Sequence, residues 1–267
     1  MLALISPAKA MAAPEKPATV PASTPRFLDD ATVLAKRLRS RSADSLGDLM
    51  GISDKLATLN KARFKDWSPD PEAGGEGGPA VPAILHFRGD VYQGFDADSL
   101  DDAGLAEADR RVRILSGLYG LLRPLDAVRA YRLEMGTTFD RGRPKTLYEF
   151  WREKVTAAVS EEIAATGAKA VINLASNEYA SAVDFDAISV PVVSPQFKED
   201  RDGEPKMISF FAKWARGSMA RYLVDSKADT PAALRRFRRD GYRYDKSLST
   251  EAEPVFVRPD SRSAGER

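Results

Sequence analysis

LALISPAK, residues 2–9, is a short apolar run stopped by Pro7. Such a run reads as a buried strand whose end delivers Ser6 and Lys9 into a loop. AVINLAS, residues 170–176, repeats the pattern and brings Asn173, with Glu178 just beyond, to a second strand end. A helix over Tyr148 to Ala165, closed by Gly167, precedes it. Two apolar strands separated by helical segments point to a mixed sheet with helices around it.

The intervening chain fits that class. Leu28, Val33, Leu34 and Leu38 share one helical face. Asp44 or Ser45 can cap a second helix through Met50, and Ser53 with Asp54 can start a third carrying Leu56 and Leu59. Residues 12–25 read as an extended Ala/Pro loop, and 68–82, SPDPEAGGEGGPAVP, as a flexible one. AILHF predicts a strand ended by a Gly89-Asp90 turn. A helix is predicted from about Leu105 to Leu118, with Val112, Leu115 and Leu118 inward, then a glycine turn and a short helix from Asp126. VPVVSPQF and KMISFF predict strands about an Asp202-Gly203 turn, followed by helices over Ala212 to Asp225 and from Pro231 to Arg239. Strands and helices alternate irregularly, so the class is mixed α/β (α+β), without internal repeats.

At 267 residues one large domain or two small ones are allowed. Hydrophobic residues at 43% and charged residues at 30% are a globular balance. The absence of cysteine excludes disulfides, thiolate metal sites and cysteine nucleophiles, and the single histidine, His86, leaves no histidine-rich metal site. His86, inside an apolar segment, reads as a core residue. The N-terminus has no basic region before an apolar run that ends at Ser6, and no segment approaches a membrane span. A cytoplasmic protein, with no membrane partner and no cofactor or bound metal, is the expectation.

Net charge is only +1, but its distribution is uneven. Acids crowd 90–109, and bases follow at 110–132 and 206–243. RRVRILSGLYGLLRPLD, residues 110–126, could be two helices about a glycine hairpin, a design whose free amides and arginines take DNA phosphates. Arg110, Arg111, Arg113, Gly117, Tyr119, Gly120 and Arg123 would supply it, although two residues separate Gly117 from Gly120 where one is usual. In ISFFAKWARGSMARYL, residues 208–223, Lys213, Arg216 and Arg221 recur near helical spacing among aromatics, as a second phosphate-tracking surface would. A third set, Ser6, Lys9, Ser53, Asp54, Lys55, Asp90, Arg132, Glu134, Asn173 and Glu178, lies at strand or helix ends and could line a polar, anion-accepting pocket. Neither a Walker sequence nor GxGxxG accompanies it. Asp98, Asp101 and Asp102 could in principle offer oxygens to iron.

LISPAK (4–9), ISDKLA (52–57), GDVYQG (89–94), LSGLYGLLRPLD (115–126), YRLEMG (131–136), LYEFW (147–151), INLASNEY (172–179) and ISFFAKWARG (208–217) occur in one order across nearly the whole chain. On these blocks the sequence resembles the bacterial peroxide-stress protein YaaA family. The resemblance implies a single compact domain over 1–267 with an unusual mixed sheet, a helix-hairpin-helix element at about 105–132, and a mobile tail after about 247. It further implies binding of double-stranded or distorted DNA in a basic cleft, and limitation of iron-dependent damage under hydrogen peroxide. The alternative from the residues themselves is an enzyme acting on a nucleotide, nucleobase or phosphorylated small molecule.

Overall fold

The computed structural model describes residues 1–14, 20–140 and 142–260. In chain order its strands are β1 (Leu2–Ile5), β2 (Ala10–Met11), β3 (Val81–Pro82), β4 (Phe87–Arg88), β5 (Val112–Ser116), β6 (Gly120–Leu122) and β7 (Ala127–Val128). They continue as β8 (Val171–Leu174), β9 (Val192–Val193), β10 (Gln196–Arg201), β11 (Glu204–Lys206), β12 (Arg243–Asp245) and β13 (Val255–Arg258). The helices are α1 (Leu28–Arg39), α2 (Ala43–Met50), α3 (Asp54–Asp66), α4 (Ala83–His86), α5 (Asp90–Phe95), α6 (Asp102–Arg111), α7 (Leu147–Thr166), α8 (Asn177–Ala180) and α9 (Ser209–Ser226). The class is mixed α/β, and one apolar core runs through the molecule.

The central sheet has the order β6-β5-β1-β8-β9, with β1 parallel to both β5 and β8. All four residues of β1 are buried, as its unbroken apolar run demands. From β1 the chain goes on to β5 on one side, whereas β8 leads to β9 on the other. Loops leaving adjacent parallel strands in opposite directions open a crevice at the strands' C-terminal ends. A second sheet, β11-β10-β13-β12, stands beside it.

Segment 105–132 is not a helix-hairpin-helix. α6 stops at Arg111, and Val112–Ser116 pairs in register with β1, Ala3 opposite Val112. Apolar residues that fit a helical face are here buried on both faces of a strand rich in β-branched side chains. Gly117 to Gly120 closes a β-hairpin, in which Ser116 faces Gly120. Gly120 has φ +68°, and a Cβ there would lie 2.7 Å from the Trp151 ring, so glycine is required twice over. The helix expected from Asp126 is the strand β7, paired with β3.

Other segments differ more mildly. AILHF is one helical turn before β4, and ISFF opens α9 instead of closing a strand. Loop 68–82 is pinned, because the buried Arg129 guanidinium donates to the carbonyls of Ala73 and Gly74. The segment after 247 carries β13, sandwiched between β10 and β12, so chain to Arg258 belongs to the sheet. Residues 15–19 of the expected extended loop and 261–267 of the expected tail lie outside the described residues.

Asp126 ties the β6–β7 connection to Ser23. It accepts from the Ser23 hydroxyl and the Arg123 amide, each at 2.8 Å. Burial outweighs these bonds and raises its pKa to about 6. Below the unfolded value near 3.8 this group's contribution to stability is fully present; as pH climbs through 6 the folded state must ionise a buried carboxyl, and the contribution is lost. Denaturant melts from pH 4 to 7 should therefore show a downward component that Asp126→Asn removes. Parallel profiles for the two proteins would contradict it.

Candidate functional site

The crevice at the ends of β1 and β8 is a cleft of about 510 Å³, within the size range of small-molecule sites. The β1 loop contributes Ser6 and Lys9, the β8 loop Ser176, Glu178 and Tyr179, and the chain beyond β7 Tyr131, Arg132 and Glu134. Asp90 and Tyr92 enter from α5, and Lys213 and Arg216 from α9.

Close backbone packing sets the α5–α9 wall. A Cβ on Gly217 would overlap the Val91 carbonyl oxygen, and one on Gly94 the Trp214 carbonyl oxygen, so the helices cross where neither has a side chain. Gly89, at φ +146°, turns the chain from β4 directly into α5 and puts Asp90 at the mouth. On the opposite wall the Ser6 hydroxyl accepts from the Ser176 amide (2.8 Å) and donates to the Ser176 Oγ (3.3 Å), locking the two strand-end loops together. The Tyr92 hydroxyl donates to the Ser6 carbonyl (3.1 Å), and Tyr131 bonds Ser116 (2.6 Å). Burial pushes the phenols of Tyr92, Tyr131 and Tyr179 well up, so they remain protonated.

Charges in the cleft fall into two groups. Glu134 is held on both oxygens, by Lys9 and Arg132, each at 2.9 Å, and Glu178 accepts from the Gly136 amide at 3.0 Å. Asp90, Lys213 and Arg216 make no hydrogen bond or ion pair among the described residues. Burial pulls the Arg216 guanidinium down from its ordinary value with no carboxylate to offset it.

Of the residues expected in a polar pocket, Ser6, Lys9, Asp90, Arg132, Glu134 and Glu178 are brought together. Asn173 sits behind the lining, its side chain bonded to the Ser194 hydroxyl and the Ala175 amide. Ser53, Asp54 and Lys55 are exposed at the start of α3, which packs on α1 and α2 away from the cleft. Tyr92, Tyr131, Ser176 and Tyr179 were not singled out from sequence. Ser176 alone had a signal, its place directly after the AVINLA run.

The arginines expected on DNA do not form one trough. Arg110 is bidentate on Glu107 (2.7 and 3.0 Å), and Arg111, buried, bonds Glu107, Asp229 and the carbonyls of Lys227 and Ala228. Arg113 is buried on Glu162, Arg123 pairs with Asp109, and Arg221 binds Asp225 and the Asp96 carbonyl. Gly117, Tyr119 and Gly120 are buried; the Tyr119 hydroxyl accepts from Trp67 and from the Arg129 amide. The acidic run before 110 supplies partners to the basic run after it. Hydrogen bonds from Arg110, then Arg111, hold the Glu107 carboxyl down at about 2. Of the ten residues only Lys213 and Arg216 reach the cleft.

His86 is buried against the Val128 carbonyl (3.1 Å), and burial lowers its pKa to about 4, so it is neutral. Asp101 caps α6 through the Gly104 amide and Asp98 faces Arg88 at 3.8 Å. Among the described residues no group of three or more histidine or acidic side chains could hold a metal ion.

The family model described as peroxide stress protein YaaA matches residues 1–248. The chain belongs to that family. A UPF0246 protein of Shewanella baltica strain OS155 is 46% identical over 258 residues, covering 97% of this chain and 99% of the relative. A UPF0246 protein of Cereibacter sphaeroides strain ATCC 17023 is 46% identical over 261 residues, with the same coverage. Membership in the YaaA family supports a role in oxidative stress. No helix among the described residues is long and apolar enough to cross a membrane.

Proposed function

We propose that this chain serves oxidative-stress defence through the cleft at the ends of β1 and β8, where it binds and acts on a nucleotide, nucleobase or phosphorylated small molecule. The observation that carries the reading is the convergence of five cations, Lys9, Arg88, Arg132, Lys213 and Arg216, with Asp90, Glu134 and Glu178 in that one cleft. Glu134 is fully engaged, which leaves Asp90 and Glu178 as the carboxylates able to take a proton from a ligand. Thermal melts against nucleotides, nucleobases and sugar phosphates test it. A ligand at one hundred times its Kd should stabilise the fold by about 2.7 kcal/mol, and no shift with any compound would contradict the reading.

DNA binding through phosphates and duplex shape is a second reading. It is favoured by the unpaired Lys213 and Arg216, with Phe210 51% exposed one turn before Lys213. It calls for an affinity that falls steeply with salt and drops about equally for all duplexes in Lys213→Ala/Arg216→Ala. Titrating duplex, bubble and single-stranded oligonucleotides at two salt concentrations tests it: tight duplex binding with a steep salt dependence supports the DNA reading, and its absence contradicts it.

A further inference from the structure

We infer that the α5–α9 wall of the cleft is a seat for a phosphomonoester dianion, with Lys213 and Arg216 on the phosphoryl oxygens and Asp90 accepting from a hydroxyl or amino group of the same molecule. This rests on the cleft being the working site and names what that site takes.

On the β1–β8 side Lys9 and Arg132 hold Glu134 and the Gly136 amide donates to Glu178, so the charges of that wall already have partners. On the α5–α9 side Asp90, Lys213 and Arg216 have no partners among the described residues. Lys213 and Arg216 are three apart on α9 and share a face. The Gly94–Gly217 crossing clamps α5 to α9, so the helices cannot drift to bring Asp90 onto either cation. Desolvating Arg216 without a counter-ion costs free energy, and a bound anion would recover it.

Charge count selects the kind of anion. Of the five lining cations, Lys9 and Arg132 hold Glu134 and Arg88 faces Asp98 at 3.8 Å, which leaves Lys213 and Arg216 as two cations without a carboxylate among the described residues. These two match a phosphomonoester above its second pKa near 6, not a carboxylate or a phosphodiester. Asp90 beside the seat would repel bare phosphate but reward a ligand bearing a donor next to its phosphate. Two sources share this chemistry, a free nucleoside or sugar monophosphate and the terminal phosphate of a nucleic-acid strand.

Calorimetric titrations at pH 7.5 with inorganic phosphate, AMP, cyclic AMP, adenosine and a short single strand with or without a 5′-phosphate test the seat. AMP should bind at least tenfold more tightly than cyclic AMP, and its affinity should fall as pH drops through about 6. Arg216→Gln should weaken AMP about 30-fold and Lys213→Gln about 5-fold, with adenosine unaffected. Asp90→Asn should weaken AMP while tightening inorganic phosphate. Lys55→Gln, on the distant α3, should change nothing. Lys213 is exposed, so its variant keeps the fold, and Arg216→Lys should restore most of the AMP affinity. A phosphorylated strand that outbinds AMP would identify the source as a nucleic-acid end; the reverse would identify a free metabolite. Equal binding of AMP and cyclic AMP, or AMP binding untouched by Arg216→Gln, would overturn the seat while leaving the cleft as the site. If none of these compounds bound, the cleft itself would fall with it.

Discussion

Gly217→Ala should lower the melting temperature by about 6–12 °C. The added methyl would overlap the Val91 carbonyl oxygen and come within 2.9 Å of the Phe95 amide nitrogen. These are backbone atoms of a helix that cannot rotate away, so overpacking of about 3 kcal/mol is expected, and each kcal/mol moves the melting point of a chain this size by about 2–4 °C. Gly94→Ala meets the Trp214 carbonyl at the same crossing, so the pair should be less than additive. Because the crossing also sets the distance from Asp90 to Lys213 and Arg216, whatever folds of Gly217→Ala should bind ligand more weakly. A melting point within 2 °C of the parent would show that the helices do not cross there.

Arg113→Ala should cost about 3–5 kcal/mol, whereas Arg110→Ala, three residues away, should cost less than about 1 kcal/mol. The Arg113 side chain is 2% exposed and donates to Glu162 and to the carbonyls of Asp109 and Val112 (both 2.6 Å). Its loss takes a charged donor from two buried carbonyls and leaves Glu162, among the described residues, with only Arg26, at 3.5 Å. Arg110 is 47% exposed and holds Glu107, which Arg111 also grips. Urea melts measure both. A DNA-contact role for the two arginines instead predicts unchanged melts and parallel losses of DNA affinity.

Sequence patterns revealed β1, β8 and α7 because each is a local signal: an apolar run stopped by Pro7, another ending in Ser176, and a long helix closed by Gly167 in the left-handed conformation. The polar groups at the ends of β1 and β8 were legible for the same reason, since adjacent parallel strands deliver their following residues to one edge. VRILSGLYGLL is ambiguous in sequence because an apolar run buried on both faces satisfies helical and strand periodicity alike, and only pairing with β1 decides between them. ISFF is ambiguous at its boundary for a related reason. The basic runs were visible as charge, but charge along a chain does not reveal its partner. Glu107 neutralises the neighbouring Arg110 and Arg111, Asp225 takes Arg221 one turn away on α9, Asp109 and Glu162 reach Arg123 and Arg113 from distant parts of the chain, and what remains free on α9 emerges only in three dimensions.

The central claim, that the working site is the crevice between β1 and β8, is tested most directly by mapping amide chemical shifts as AMP is added to the labelled protein. Perturbations should cluster at Ser6 to Ala10, Asp90 to Tyr92, Ser176 to Tyr179 and Lys213 to Gly217. Perturbations confined to Arg110, Arg111 and Arg123, with the crevice silent, would contradict it.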